Sequence, residues 1–135
     1  MANQITTGAF HHLTLTVTDI QRSQEFYTSL LGFRKVRDLP QRVILSNGST
    51  LLGLSLAPIP ERAINGDSFD ECRVGLDHLS FSVSSRNDLE QAVRILEERG
   101  VSHGKITDLG PDFGLYVLCF RDPDNIQLEL TATYG

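Results

Sequence analysis

The sequence predicts an α+β fold in which two copies of a strand–helix–strands module pack side by side. The first observation is an internal repeat: His12-Leu-Thr-Leu-Thr-Val17 recurs as His78-Leu-Ser-Phe-Ser-Val83, and both segments alternate apolar and hydroxyl residues as strands do. The second is that a helix pattern and further strand-like stretches follow each copy. Two packed modules place the helices on the outer face of a curved sheet and leave a concave face opposite.

In the first module, the helix is predicted to begin after Asp19, whose carboxylate can cap it, and to end at Gly32. Its apolar positions are Ile20, Phe26, Tyr27, Leu30 and Leu31. A turn is predicted at Asn47-Gly48. The strands expected after the helix are Arg34–Asp38, Arg42–Ser46 and Thr50–Ala57.

In the second module, Asn87 and Glu90 form the expected capping box of a helix that ends at Gly100. Its apolar stripe is Leu89, Ala92, Val93 and Leu96. Asp122-Pro123-Asp124-Asn125 is predicted to be a turn. The strands expected after the helix are Val101–Thr107, Leu115–Arg121 and Ile126–Thr133.

The whole chain, residues 1–135, is predicted to form one domain, which at this length can bury a core without a disulfide or a metal. The first module covers residues 10–57 and the second covers residues 74–133. The polar, turn-rich segment Pro58–Arg73 is interpreted as the linker between them. Its one large apolar residue, Phe69, leaves open a second role for the segment as a lid over the concave face.

Composition excludes several classes of protein. Twelve Lys and Arg residues against 17 Asp and Glu give a net charge of −5, which does not provide the basic surface of a nucleic-acid-binding protein. No apolar run approaches the roughly 20 residues of a membrane-spanning helix, and the first ten residues lack a secretory signal. Two cysteines are too few for a disulfide framework. We therefore expect a cytoplasmic protein with reduced thiols that binds neither membrane nor nucleic acid.

On three of the predicted strands, alternate residues form a polar face that carries hydroxyl, amide, imidazole and carboxylate groups but no Lys or Arg. A sheet with one solvated face produces the same alternation, and this alternative stays open. However, two histidines at equivalent positions of the repeat and one carboxylate are the ligand types of a two-histidine–one-carboxylate metal site. The polar residues are His12, Thr14, Thr16, His78, Ser80, Ser82, Gln127, Glu129 and Thr131.

Two other histidines are not predicted to be ligands. On a regular strand His11 points away from the face that carries His12, and His103 is expected to lie in an exposed loop. Two residues near the end of the chain are candidates for the wall of a binding pocket. Cys119 lies in the middle of a strand, and Tyr116 has a hydroxyl that can donate a hydrogen bond.

Three segments, in the right order, resemble the glyoxalase/bleomycin-resistance/dioxygenase proteins, also called the vicinal oxygen chelate superfamily. They are His12-x₄-Val-x-Asp-Ile-x-x-Ser-x-x-Phe-Tyr-x-x-Leu-Leu-Gly-Phe33, His78-x₄-Val83 and Phe120-Arg-Asp-Pro-Asp-Asn-Ile-Gln-Leu-Glu-Leu130. The similarity extends from Phe10 to Thr131. It implies paired βαβββ modules that form a cupped half-barrel sheet, with a divalent metal held by His12, His78 and Glu129.

The sequence departs from some members of that family. Glyoxalase I and the methylmalonyl-CoA epimerases are expected to have Glu or Gln where this chain has Gly53, so a conventional member of either group is disfavoured. Extradiol dioxygenases and fosfomycin-modifying thiol transferases have a tyrosine where this chain has Cys119. Thr14 matches a threonine that contacts the substrate in the latter group.

The resemblance implies a metal-dependent enzyme that chelates a small substrate through two adjacent oxygens, with dioxygenase-like or glyoxalase-like lyase or isomerase chemistry. The metal is Fe²⁺, Mn²⁺, Ni²⁺ or Zn²⁺, because histidine and carboxylate suit all four. Glu129 is the catalytic candidate, and a homodimer is expected. The alternative is a bleomycin-resistance-type protein that binds a small molecule without catalysis. The candidate substrate-binding residues are Thr14, Ser80, Ser82, Tyr116, Cys119 and Gln127.

Overall fold

A computed structural model describes residues 3–135 and contains two compact units, one that ends at Asn65 and one that begins at Gly66. The boundary lies inside the segment interpreted as a linker. Each unit contains a strand, a helix and three more strands in that order, and its four strands form one sheet. The predicted α+β class and the βαβββ modules are therefore confirmed.

In the first unit the strand order across the sheet is β1-β4-β3-β2, with β1 parallel to β4. The predicted limits of its helix hold, because the Asp19 carboxylate accepts a hydrogen bond from the Arg22 backbone N–H at 3.0 Å and Gly32 ends the helix with φ 74°. A single 3₁₀ turn follows at Pro60–Arg62. The elements are β1 (Leu13–Thr16), α1 (Ile20–Leu31), β2 (Arg34–Leu39), β3 (Arg42–Ser46) and β4 (Leu51–Ser55).

In the second unit the strand order is β5-β8-β7-β6, with β5 parallel to β8, so the topology repeats that of the first unit. None of the helices within residues 3–135 combines the length and the apolar character needed to cross a membrane. The elements are β5 (Leu79–Ser82), α2 (Arg86–Glu98), β6 (Thr107–Asp108), β7 (Leu115–Arg121) and β8 (Gln127–Thr133).

Two local predictions in this unit are wrong. Helix α2 begins at Arg86 and its N-cap is Ser85, two residues before Asn87, because Asp88 accepts hydrogen bonds from the backbone N–H groups of Ser84 and Ser85 at 3.0 and 3.1 Å. The Ser-x-x-Asp segment thus supplies the cap that the Asn-x-x-Glu segment was expected to supply. The strand predicted at Val101–Thr107 is limited to β6, since the Val101 N–H is already bound to the helix carbonyl of Leu96 at 2.9 Å.

The predicted alternation is present in both sheets. On β1, Leu15 is buried while Thr14 is exposed. On β8, Leu128 and Leu130 are buried. The apolar side of each sheet contributes to the core of its own unit, so the polar side is available for a functional site.

The two units share one pairing register. Thr14 lies opposite Gly53 between β1 and β4, and Ser80 lies opposite Glu129 between β5 and β8. His12 and His78 each lie two residues before these paired hydroxyl residues. Gly53 is therefore the first-unit counterpart of Glu129, as the sequence comparison of the two modules predicted.

The end of the predicted linker is bound to the second unit. The Arg121 guanidinium donates two hydrogen bonds to the Glu71 carboxylate at 2.7 and 2.9 Å, and this pairing lowers the pKa of Glu71 to about 2. The Phe69 N–H donates to the Asp124 carbonyl at 2.9 Å, and the Asn125 amide donates to the Phe69 carbonyl at 3.0 Å. Phe69 and Glu71 are thus held against the β7–β8 hairpin, a few residues before His78.

Candidate functional site

A cluster of polar side chains surrounds Glu129 in the second unit. Glu129 lies on the central strand β8, with Ser80 of β5 on one side and Cys119 of β7 on the other. Its side chain is only 14% exposed, whereas that of His78 is 39% exposed. We call this set, which is His78, Ser80, Cys119, Glu129 and Thr131, the Glu129 cluster.

The two carboxylate oxygens of Glu129 have different neighbours. Oε1 accepts a hydrogen bond from the Thr131 hydroxyl at 3.1 Å and lies 3.6 Å from Nε2 of His78. Oε2 faces the Cys119 thiol, whose sulfur lies 3.8 Å away. Since a thiol is a weak donor, Oε2 is the less strongly bound of the two oxygens.

The other nitrogen of His78 is bound to a carboxylate. Nδ1 lies 2.8 Å from Oδ1 of Asp77, so the proton of a neutral imidazole belongs on Nδ1 and the Nε2 lone pair is free. The Gln127 amide in turn donates to the same Oδ1 and to the Asp77 carbonyl, both at 3.0 Å. Gln127, a predicted substrate-binding residue, therefore has its amide N–H groups directed at Asp77.

The His78–Glu129 pair fits a divalent first-row metal ion. Two bonds of about 2.1 Å each can join ligand atoms up to about 4.2 Å apart. The 3.6 Å separation of Nε2 and Oε1 lies within that limit. Imidazole nitrogen and carboxylate oxygen are also ligands that zinc, iron, manganese and nickel accept. Residues 3–135 contain no group of three or more His, Cys, Asp or Glu side chains that could hold a metal ion.

Burial and the neighbouring Glu129 carboxylate raise the pKa of the Cys119 thiol above its ordinary value. The thiol is therefore protonated near neutral pH and can donate to Glu129. It lacks the thiolate character of a nucleophilic cysteine.

The corresponding surface of the first unit has little polar chemistry. Gly53 replaces the carboxylate, and Ile44 occupies on β3 the place that Cys119 occupies on β7. A Cβ atom at Gly53 would lie 2.7 Å from the hydroxyl oxygen of Thr14, closer than real Cβ contacts, so the side chain of Thr14 fills the space in which a side chain at position 53 would begin.

The histidines of the first unit differ from the sequence prediction. Strand β1 begins only at Leu13, so the alternation rule does not extend to His11 and His12. Their Nδ1 atoms lie 2.9 Å apart, and both residues are exposed. His11 therefore does not point away from His12.

The remaining predicted site residues are placed as follows. Ser82 is exposed on β5, opposite Thr131. Tyr116 lies on the side of β7 opposite to Cys119. Its ring packs against the ring of Tyr134, with 4.8 Å between the two centroids. The Arg86 guanidinium lies over the Tyr116 ring, 4.9 Å from the ring centroid. The structure thus brings His78, Ser80, Cys119 and Glu129 together and places Tyr116 elsewhere.

Sequence reasoning missed Asp77. The residue immediately precedes His78, and alternation along a regular strand would point the two side chains to opposite faces. Strand β5, however, begins at Leu79, so both residues lie outside the alternating segment. The signal that could have identified Asp77 is a carboxylate directly beside a candidate histidine ligand, because ligand histidines commonly donate their second N–H to a carboxylate.

Comparisons with known proteins agree with this fold. A family profile described as Glyoxalase/Bleomycin resistance protein/Dioxygenase superfamily matches residues 9–130. The Bacillus subtilis (strain 168) protein described as "Uncharacterized protein YwkD" is 34% identical over 131 residues, which are 90% of this chain and 94% of that protein. The Escherichia coli (strain K12) protein described as "Uncharacterized protein YaeR" is 33% identical over 128 residues, which are 89% of this chain and 92% of that protein.

Solved structures are similar over the same length. A glyoxylase/bleomycin resistance protein/dioxygenase domain from Frankia sp. EAN1pec has a TM-score of 0.78 at 31% identity and covers 95% of this chain and 93% of its own. The fosfomycin resistance protein FosX from Listeria monocytogenes has a TM-score of 0.72 at 15% identity over 94% of both chains, which shows a common fold alone. By its profile match and its relatives, the chain belongs to the Glyoxalase/Bleomycin resistance protein/Dioxygenase superfamily.

Proposed function

We propose that the chain is a metal-dependent enzyme that binds a small substrate through two adjacent oxygens. The observation that carries the proposal is the His78–Glu129 pair, in which Nε2 lies 3.6 Å from a Glu129 carboxylate oxygen while Nδ1 lies 2.8 Å from the Asp77 carboxylate. A histidine and a glutamate so close together, with Nδ1 already bound to a carboxylate, are suited to share one divalent ion.

The third ligand in this proposal is His12, the counterpart of His78 in the first module. Three protein ligands leave coordination positions open for substrate oxygens. When bound, the divalent ion supplies a Lewis acid that polarises those oxygens. Gly53 supports the open arrangement, since the chain has no side chain at the position equivalent to Glu129.

Glu129 is the residue that we assign to proton transfer. Its Oε1 is bound by the Thr131 hydroxyl, whereas Oε2 has only the weakly donating Cys119 thiol as its neighbour. Oε2 is therefore the oxygen that can accept a proton from a carbon next to a substrate carbonyl, as in lyase or isomerase chemistry. The exposed hydroxyls of Thr14, Ser80 and Ser82 can orient the substrate by hydrogen bonding.

Metal analysis tests the proposal. The purified protein is expected to bind one Fe²⁺, Mn²⁺, Ni²⁺ or Zn²⁺ per chain, and His78→Ala and Glu129→Ala are each expected to lose tight binding. Asp112→Ala is the control, because it removes an exposed carboxylate in the turn that precedes β7. Each metal that binds should also raise the thermal unfolding midpoint.

Unchanged metal content in His78→Ala would contradict the proposed site. A wild-type protein that binds none of the four metals, and whose unfolding midpoint does not respond to them, would favour the alternative of a small-molecule-binding protein without catalysis. Dependence of product formation on dioxygen would place the reaction among the dioxygenases and remove the proton-transfer role of Glu129.

A further inference from the structure

We infer that Asp77 is a positioning residue that keeps the His78 imidazole in its Nδ1–H form, and that Gln127 holds Asp77 in place for this task. The inference rests on the metal-binding function proposed above and adds to it the residues that orient the ligand. Neither residue is itself placed as a metal ligand.

The Asp77 carboxylate determines which nitrogen of His78 carries the proton. A neutral imidazole carries one proton, and only the nitrogen without it can bind a metal. The Asp77 carboxylate is an acceptor 2.8 Å from Nδ1, so it stabilises the proton there. Nε2, which lies on the Glu129 side of the ring at 3.6 Å, is left with its lone pair.

The Gln127 amide holds Asp77 in place. Its side chain is 68% exposed, and an exposed carboxylate by itself has considerable rotational freedom. The Gln127 amide donates to Asp77 at both Oδ1 and the backbone carbonyl, at 3.0 Å each. These two bonds restrain the backbone and the side chain of Asp77 together.

One strand, β8, orients both Glu129 and His78. Glu129 and Gln127 lie two residues apart on β8, with their side chains on the same face. Strand β8 therefore positions Glu129 directly and positions His78 through Gln127 and Asp77.

The first unit supports the assignment by contrast. In the shared register, the counterpart of Asp77 is His11 and the counterpart of Gln127 is Leu51. The unit that lacks the carboxylate at Gly53 thus also lacks the carboxylate–amide pair. The pair occurs in the same unit as the His78–Glu129 contact.

The tautomer can be observed without any metal. We would record ¹⁵N NMR spectra of the imidazole in the metal-free full chain, at a pH where His78 is neutral. Wild type is expected to show a protonated Nδ1 and an unprotonated Nε2. Asp77→Ala is expected to lose this single form, whereas Asp77→Asn, which keeps an oxygen acceptor, retains it.

Zn²⁺ binding provides the second measurement. Loss of the group that hydrogen-bonds a ligand histidine typically weakens metal binding about 10–100-fold, and we expect that increase in the Zn²⁺ dissociation constant for Asp77→Ala. Gln127→Ala should give a smaller increase in the same direction. Asp112→Ala, which removes an exposed loop carboxylate, is the matched control and should leave both readouts unchanged.

The outcomes separate the two proposals. If Asp77→Ala keeps the tautomer and the Zn²⁺ affinity of wild type, the role of Asp77 is overturned while the metal site stands. If wild type binds no Zn²⁺ but Asp77→Ala changes the tautomer, the metal site is overturned while the orienting role of Asp77 is supported. If Asp77→Ala does not fold, the tautomer of His78 in Asp77→Asn provides the test. Retention of the Nδ1–H form in that variant supports the inference, and its loss overturns the inference.

Discussion

Replacing Gly53 by alanine tests the close contact between β1 and β4. Gly53 is buried and its φ is not positive, so its backbone conformation is open to alanine. The new Cβ would lie 2.7 Å from the hydroxyl oxygen and 3.2 Å from the methyl carbon of Thr14. Since real Cβ atoms do not approach that closely, Thr14 or the strands must move.

The size of the effect follows from two opposing contributions. Forcing Thr14 from its rotamer costs about 0.5–1.5 kcal/mol, and displacing packed strands costs about 1–3 kcal/mol. Replacing glycine by alanine stabilises by about 0.4–1 kcal/mol through the unfolded state. We expect Gly53→Ala to lower the free energy of unfolding by up to about 2.5 kcal/mol in the wild-type background.

The double mutant gives the decisive comparison. Without the Thr14 hydroxyl and methyl groups, the nearest remaining atom of that side chain is Cβ at 3.4 Å, an ordinary contact. In the Thr14→Ala background, Gly53→Ala should therefore be neutral or stabilise by up to about 1 kcal/mol. Urea unfolding of the four proteins measures the coupling. An equal effect of Gly53→Ala in both backgrounds would refute the contact.

Two further predictions concern the second unit. Asp88→Ala should lower the free energy of unfolding by about 1 kcal/mol because the start of α2 loses its capping carboxylate, whereas Asn87→Ala should have little effect. Urea unfolding distinguishes the two, and equal losses would contradict the observed cap. The paired Arg121 lowers the pKa of Glu71 from 4.5 to about 2, so the pair stabilises the folded state above pH 4.5 and loses this contribution as the pH falls toward about 2. The difference in unfolding midpoint between wild type and Glu71→Gln should shrink over that range, while Glu61→Gln should follow wild type throughout; a difference independent of pH would contradict the pairing.

Local patterns were sufficient for most of the fold. Asp19 and Gly32 delimit α1 as predicted, because a cap and a left-handed terminator act within one helical turn. The burial of Leu15 and the exposure of Thr14 follow from the period of two along a strand. The repeat correctly predicted the counterpart of Glu129, since both modules keep the same register.

The errors arose where two local patterns compete or where a strand has not yet begun. Ser85 with Asp88 and Asn87 with Glu90 have similar capping chemistry, and sequence alone does not rank them. Asp77 lies before the first residue of β5, so the alternation rule does not apply to it.

Within the candidate site, the part that depends on strand register could be predicted, and the part that depends on side-chain contacts outside the strands could not. The proximity of His78 to Glu129 follows from the pairing of β5 with β8. The bond between Gln127 and Asp77 joins positions 50 residues apart and leaves no periodic signature in the sequence. The membership of His12 in the same metal site, as its third ligand, stays a prediction.

The common register has a consequence for how this chain can diversify. The positions of Glu129 and Cys119 in the second half have structural counterparts at Gly53 and Ile44 in the first, and those counterparts carry no polar group. Chemistry can thus be gained or lost in one half while the hydrogen-bonded scaffold stays constant. To change the substrate preference, a designer would first substitute Ile44, the apolar counterpart of Cys119, because this leaves the strand pairing unchanged.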